Sequence, residues 1–104
     1  MIVRAWRGFA DTAHSQAYPS HLLETVRPKL AELPGFHGLY LLRRTVGAEV
    51  EYLVLTLWDS LAAIRNFASP DLERAVVEPE ARAALLRYDA TVQHFEVLAT
   101  PDAL

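Results

Sequence analysis

Residues 50–58, Val-Glu-Tyr-Leu-Val-Leu-Thr-Leu-Trp, are apolar on both faces once Glu51 is passed. At the two-residue period of a strand, one face carries Val50, Tyr52, Val54, Thr56 and Trp58, and the other Leu53, Leu55 and Leu57. A strand with two apolar faces has to be covered on both. A chain of 104 residues has room for only a few helices, enough to cover one side. The second cover is expected to be another copy of the same chain.

The flanking sequence supplies the other layers. Residues 2–10 alternate loosely, with Val3, Trp6 and Phe9, and read as a first strand. Over 14–33, Tyr18, Leu22, Val26, Leu30 and Leu33 draw one continuous stripe, which predicts a helix. Pro19 in its first turns and Pro28 in its middle predict a late start, a kink or both, since proline lacks the amide donor and crowds the preceding turn. Pro34-Gly35 ends that helix. Residues 36–45 and 49–58 form a hairpin around Gly47. A helix over 60–68 is capped by Asp59 or Ser60 and turns Leu61, Ile64 and Phe67 to one side. Ser69-Pro70-Asp71 carries the cap, proline and acid of another helix start. Glu78-Pro79-Glu80 does so again, for a helix over 79–88 with Ala81, Ala84, Leu85 and Tyr88 inward. Residues 90–98 read as the last strand and 99–104 as a short polar tail.

The order β-α-β-β-α-β, over a single domain of residues 1–104, predicts an α+β fold of the ferredoxin-like kind. Its antiparallel sheet runs 4-1-3-2, and right-handed crossovers place both helical regions on one face. The bare face is expected to hold Leu39, Leu41, Leu53, Leu55 and Leu57. Leaving them in water forgoes roughly 1.5–3 kcal/mol each, comparable with the whole stability of a small domain. Closing two sheets face to face removes that penalty, so a homodimer is expected.

Composition excludes several function classes. With no cysteine there is no disulfide framework, thiolate nucleophile or cysteine-held metal. A net charge of −3, with Arg43-Arg44 as an isolated basic pair, gives no footprint for nucleic acid. No run approaches the ~18 apolar residues of a membrane span, and the start lacks a signal-peptide core, so cytoplasmic residence is expected. Lys29 is the only lysine among ten basic residues, which reads as the coding bias of a GC-rich bacterium. Gly8, Gly35, Gly38 and Gly47 match no phosphate-binding loop, and His14 and His21 stand seven apart without further ligand spacing. Neither a metal nor a cofactor is expected.

Six segments occur in order: Arg4-x-Trp6-x-Gly8, Pro34-Gly35-Phe36-x-Gly38, Thr56-x-Trp58-Asp59-Ser60, Phe67-Ala68, Ala75-Val76-Val77-x-Pro79-Glu80-Ala81 and His94-Phe95-Glu96-Val97. Together they resemble the antibiotic biosynthesis monooxygenase family of the dimeric α+β barrel superfamily, over about residues 2–98. The resemblance implies a homodimer and, in each subunit, a small-molecule cavity between helices and sheet. It also implies a mixed range of activities. Some members oxidise aromatic polyketides with dioxygen and no cofactor, relatives open haem, and others are isomerases or decarboxylases. Fold alone does not choose among these.

The candidate residues cluster by strand and face. Trp58 matches the tryptophan that lines the pocket in the oxygenase and haem-degrading branches, and it also reads as a core residue beneath the second helical region. Arg4 and Trp6 share a face of the first strand, where Arg4 can hold a phenolate, carboxylate or oxyanion or else pair with Glu96. His94 and Glu96 share a face of the last strand, so Arg4, Trp6, His94 and Glu96 form either a site with His94 as general base or a cross-strand network. Tyr18, Tyr40 and Tyr52 are placed around the same space as Trp58, with Phe67 as a further wall. The departures are informative too. The haem-degrading pattern of a first-strand asparagine and a second-helix histidine is missing, since Asn66 is the only asparagine and 60–88 holds no histidine. Where the polyketide oxygenases have an asparagine and a tyrosine, this chain has Val54 and Ile64.

Two readings are carried forward. One is a cofactor-independent monooxygenase for a small aromatic or quinoid compound. The other is a non-catalytic homodimeric domain that binds a small hydrophobic molecule or is purely structural. An isomerase or decarboxylase using His94 is a weaker third.

Overall fold

The alternation along 50–58 becomes the middle of a sheet. In the computed structural model, which describes residues 1–68 and 70–101, β1 (Ile2–Asp11) pairs antiparallel with β3 (Glu49–Trp58), and β3 with β2 (Phe36–Val46). Every second residue of β3, from Val50 to Trp58, is buried, and those between are half-covered. The sheet order is β2-β3-β1-β4, the predicted order, with the position beside β1 filled in two pieces. These are β4 (Arg87–Tyr88), opposite Gly8 and Phe9, and β5 (Gln93–Glu96), opposite Ile2 to Ala5. Val97 extends the second piece by donating to the Met1 carbonyl at 3.0 Å.

The helices lie over one face. The first region runs as α1 (Ala17–His21), a π-helical turn (Leu22–Val26) and α2 (Arg27–Ala31). Proline explains the wide turn. Pro28 has no amide for the Glu24 carbonyl and its ring would strike it, so the preceding turn opens and Arg27 donates to Leu22 instead. Tyr18, Leu22 and Leu30 are buried, as the stripe required. α3 (Leu61–Ala68) starts at Ser60, whose hydroxyl accepts from the Ala63 amide at 3.2 Å, and buries Ile64 and Ala68. No helix among the described residues is long and apolar enough to cross a membrane.

Two predicted elements differ. The helix over 79–88 ends early: α4 covers Pro79–Ala84, and Leu85 is extended. The reason is the open edge of β1, whose Phe9 and Arg7 carbonyls need donors and receive them from Leu86 at 2.8 Å and Asp89 at 3.0 Å. Gly8 permits this approach, since a Cβ there would meet Leu85 at 2.9 Å and Trp6 at 3.1 Å. The helix start at Ser69-Pro70-Asp71 also fails to continue, Ser69 itself lying outside the described residues. Residues 71–75 turn and bond across to 90–92, with Val92 donating to Glu73 and Ala75 to Ala90. The polar tail is described only through Pro101.

The bare face has a different membership from the one predicted. A bulge between Phe36 and Gly38 shifts β2 by one residue, and such a slip exchanges the faces of everything beyond it. Leu39 and Leu41 therefore pack against the helix-side core. Tyr40 and Leu42 stand instead with Leu53, Leu55 and Leu57, and are 55% and 44% exposed. Val3 and Phe95 extend this apolar surface across β1 and β5.

Gly35 closes the corner between helix and sheet. Its φ is +84°, its carbonyl accepts from the Asp59 amide at 2.8 Å, and an added Cβ would lie 2.7 Å from the Ala63 Cβ. Gly35→Ala combines left-handed strain with overpacking and should cost on the order of 3 kcal/mol. The urea midpoint followed by circular dichroism reads this loss, and a change under about 0.5 kcal/mol, the ordinary surface effect, would contradict the packing described.

Candidate functional site

Between the first helical region, α4 and the sheet lies a slot. It encloses about 650 Å³ free of protein atoms, its open mouth included. Trp6, Val54 and Thr56 form its floor on β1 and β3, and Tyr18, Leu22, Val26 and Leu30 its helical wall. Phe67, Val77 and Ala81 close the remaining sides.

Arg4 is the charged group built most deeply into this wall. Its alternation on β1 points it helix-ward opposite Thr56 and His94, and it is only 4% exposed. Nη1 donates to the Leu72 carbonyl at 2.6 Å and to His94 Nε2 at 3.0 Å, and Nη2 to the Arg74 carbonyl at 2.9 Å. The guanidinium also lies 5.7 Å over the Phe67 ring. Burial lowers its pKa to about 10, which leaves it a cation at neutral pH. Glu96, the alternative partner, sits exposed opposite Ile2.

His94 stands behind Arg4 and does not line the slot. A guanidinium only donates, so Nε2 is the acceptor and the imidazole carries its proton on Nδ1. Burial first and the Arg4 charge second hold its pKa below the ordinary 6.5, against a smaller opposing pull from Glu73.

The aromatic residues divide into wall, backing and outside. Trp6 and Tyr18 meet at 5.8 Å between ring centres, and the Trp6 indole donates to the Asp89 carbonyl at 2.8 Å. Tyr52 backs Tyr18 at 5.4 Å and donates its hydroxyl to the Ser15 carbonyl. Burial and this neighbour raise the Tyr18 pKa far above its usual value, so it is a neutral phenol. Trp58 is fully buried behind the slot. It stacks on Phe67 at 5.8 Å and donates to the Thr56 hydroxyl at 2.9 Å, so it sets two wall residues without being one. Tyr40, expected beside these rings, lies across the sheet on the bare face because of the β2 bulge.

Sequence reasoning passed over one part of the wall. His21 and Glu78 both line the slot, and the buried Nε2 of His21 has no hydrogen-bond partner. His21, Glu78 and Glu80 each bring one potential ligand atom within 4.8 Å of the others, the one grouping among the described residues able to hold a metal ion. Lys29 lies 3.8 Å from Glu78 and competes for that carboxylate. A signal existed: His21 follows Tyr18 by three and precedes Leu22, which puts it beside the buried stripe.

The family model described as antibiotic biosynthesis monooxygenase matches residues 1–79. No curated protein matches the chain. Among solved structures, a candidate antibiotic biosynthesis monooxygenase from Bacillus cereus superposes with a TM-score of 0.70 at 17% identity, covering 100% of this chain and 97% of that one. SnoaB, a cofactor-independent oxygenase from Streptomyces nogalater, gives 0.63 at 23% identity, with 98% of each chain covered. The heme-degrader MhuD from Mycobacterium tuberculosis, solved with two hemes in its active site, gives 0.61 at 21%, covering 97% of this chain and 99% of that one.

The depressed pKa of His94 has a consequence for stability. Unfolded, the imidazole titrates near 6.5; folded, it titrates lower. Between the two values the unfolded chain holds the extra proton, so stability falls as pH drops below about 6.5 and levels out beneath the folded value. His94→Gln keeps an acceptor for Arg4 and removes the titration. Its urea midpoint should decline less than that of the native chain on acidification, and identical pH slopes would show that His94 is not held neutral.

Proposed function

Because the chain belongs to the antibiotic biosynthesis monooxygenase family, we propose that it is a cofactor-independent monooxygenase acting on a small aromatic or quinoid compound held in the slot. One observation carries this reading: aromatic walls and a buried cation converge on a single slot. Trp6, Tyr18 and Phe67 grip the ring and exclude water. Arg4 stabilises negative charge on a ring oxygen, where a low dielectric strengthens its effect. His94 fixes Arg4, Tyr52 supports Tyr18, and Trp58 keeps Phe67 and Thr56 in place.

The chemistry needs no more than these groups and dioxygen. Loss of a phenolic proton gives an electron-rich anion, which reduces dioxygen directly. Among the wall residues, the imidazole of His21 is a chemically suited acceptor for that proton. Carbon–oxygen bond formation and loss of water then convert a ring methylene and dioxygen into a ring carbonyl and water, with all electrons supplied by the substrate. Haem degradation fits less well, since no histidine lies between 60 and 88.

A second reading, a non-catalytic binding module, is favoured by Val54. That residue lines the slot as a plain apolar wall where the oxygenase pattern has an asparagine. Oxygen uptake separates the two. Purified protein with hydroquinones and polyhydroxylated anthrones should consume dioxygen, and Arg4→Gln should lower kcat by about 10²–10³, the scale for losing one oxyanion donor. Ligand binding without uptake across the panel would favour the binding module.

We also propose that two copies join through the bare sheet face. Tyr40, Leu42, Leu53, Leu55, Leu57 and Phe95 present a continuous apolar surface there, of a kind soluble monomers seldom leave open. Leu55, at its centre, pairs with both Ala5 and Tyr40. Light scattering at micromolar concentration should give twice the chain mass for the native protein and the monomer mass for Leu55→Asp. A monomeric native chain would exclude this assembly.

A further inference from the structure

Arg4 is more deeply buried than any other arginine, yet it has no carboxylate. On the surface Arg7, Arg44 and Arg87 lie against Asp89, Glu51 and Glu49 at 2.9, 3.1 and 2.7 Å. Among the described residues every hydrogen-bond partner of Arg4 is neutral: two backbone carbonyls and the His94 ring. A guanidinium has five N–H groups, and these contacts use three of them. Nε–H and one Nη2–H are left over. The other ionic group on the slot wall, Glu78, already faces Lys29. Arg4 is therefore a buried cation with no hydrogen-bonded counter-ion among the described residues, an arrangement that proteins normally neutralise.

We infer that the slot takes its ligand as an organic monoanion, an aromatic carboxylate whose negative oxygens supply the counter-charge Arg4 lacks. The inference rests on reading the slot as the ligand site and adds the charge class. Flat aromatic walls select the ring, and the guanidinium fork selects the anionic oxygen. The neutral amide of the same ring fills the space equally well but leaves the charge unmatched.

Naphthoate and naphthamide, alike in shape and different in charge, test this by calorimetric titration of the full-length protein. Naphthoate should bind at least about ten-fold more tightly than naphthamide. Arg4→Gln should remove that preference, and Val77→Phe, which fills the slot, should abolish binding of both. The native ratio decides the matter even if Arg4→Gln fails to fold. Equal affinities for the two probes, both lost in Val77→Phe, would overturn the charge selection while leaving the slot as the ligand site. Failure of both probes to bind, or binding indifferent to Val77→Phe, would overturn the slot reading and this inference with it.

Discussion

The structure depends on keeping water from both sides of β3. Its helix-ward residues, Val50 through Trp58, are the floor on which both core clusters are laid. Ile64 and Ala68 cover the Trp58 end, and Tyr18 and Leu22 cover the Tyr52 end. The slot lies where these two packed regions meet, over Val54 and Thr56. The cavity is thus a seam between two cores. Its other sheet face, half-covered in the single chain, makes the same demand in the opposite direction.

A second constraint joins the irregular part of the chain to this frame. Residues 70–78 form no helix, and their carbonyls at Leu72 and Arg74 are held by Arg4. One side chain thereby fixes the loop and contributes a cation to the slot. Such dual use explains why a buried charge is tolerated: its hydrogen bonds are mostly satisfied even before any ligand arrives. Behind it, a neutral His94 supplies the third contact without adding a second positive charge.

How much of this was legible can be judged residue by residue. The element order β-α-β-β-α-β, with right-handed crossovers, was sufficient for the sheet order and for placing both helical regions on one face, and the stripe at 18, 22, 26 and 30 for which side of the first helix is buried. Arg4, Trp6, Tyr18 and Phe67 were readable as wall residues because side-chain period fixes the face on which each lies. Tyr40 was not, since one bulged residue at His37, whose ring meets Asp59, reverses the faces of β2 and leaves no mark in the period. The early end of α4 was hidden because local pattern favours a longer helix while the carbonyls of β1, nearly eighty residues away in sequence, require donors. His21 was weighed only as a metal ligand, which obscured its place on the helical wall.

The wall formed by Val76, Val77 and Glu78 differs in kind from the other three. It is spanned by the bond from Ala75 to Ala90 at one end and the start of α4 at the other, and the amides of Val76 and Val77 donate to no backbone carbonyl among the described residues. Beyond these ends it is held by Arg82, whose Nε donates to the Val77 carbonyl at 3.2 Å, and by Lys29 at 3.8 Å from Glu78. The slot is thus closed on three sides by regular structure and on the fourth by a tether with few backbone bonds, where local opening costs least.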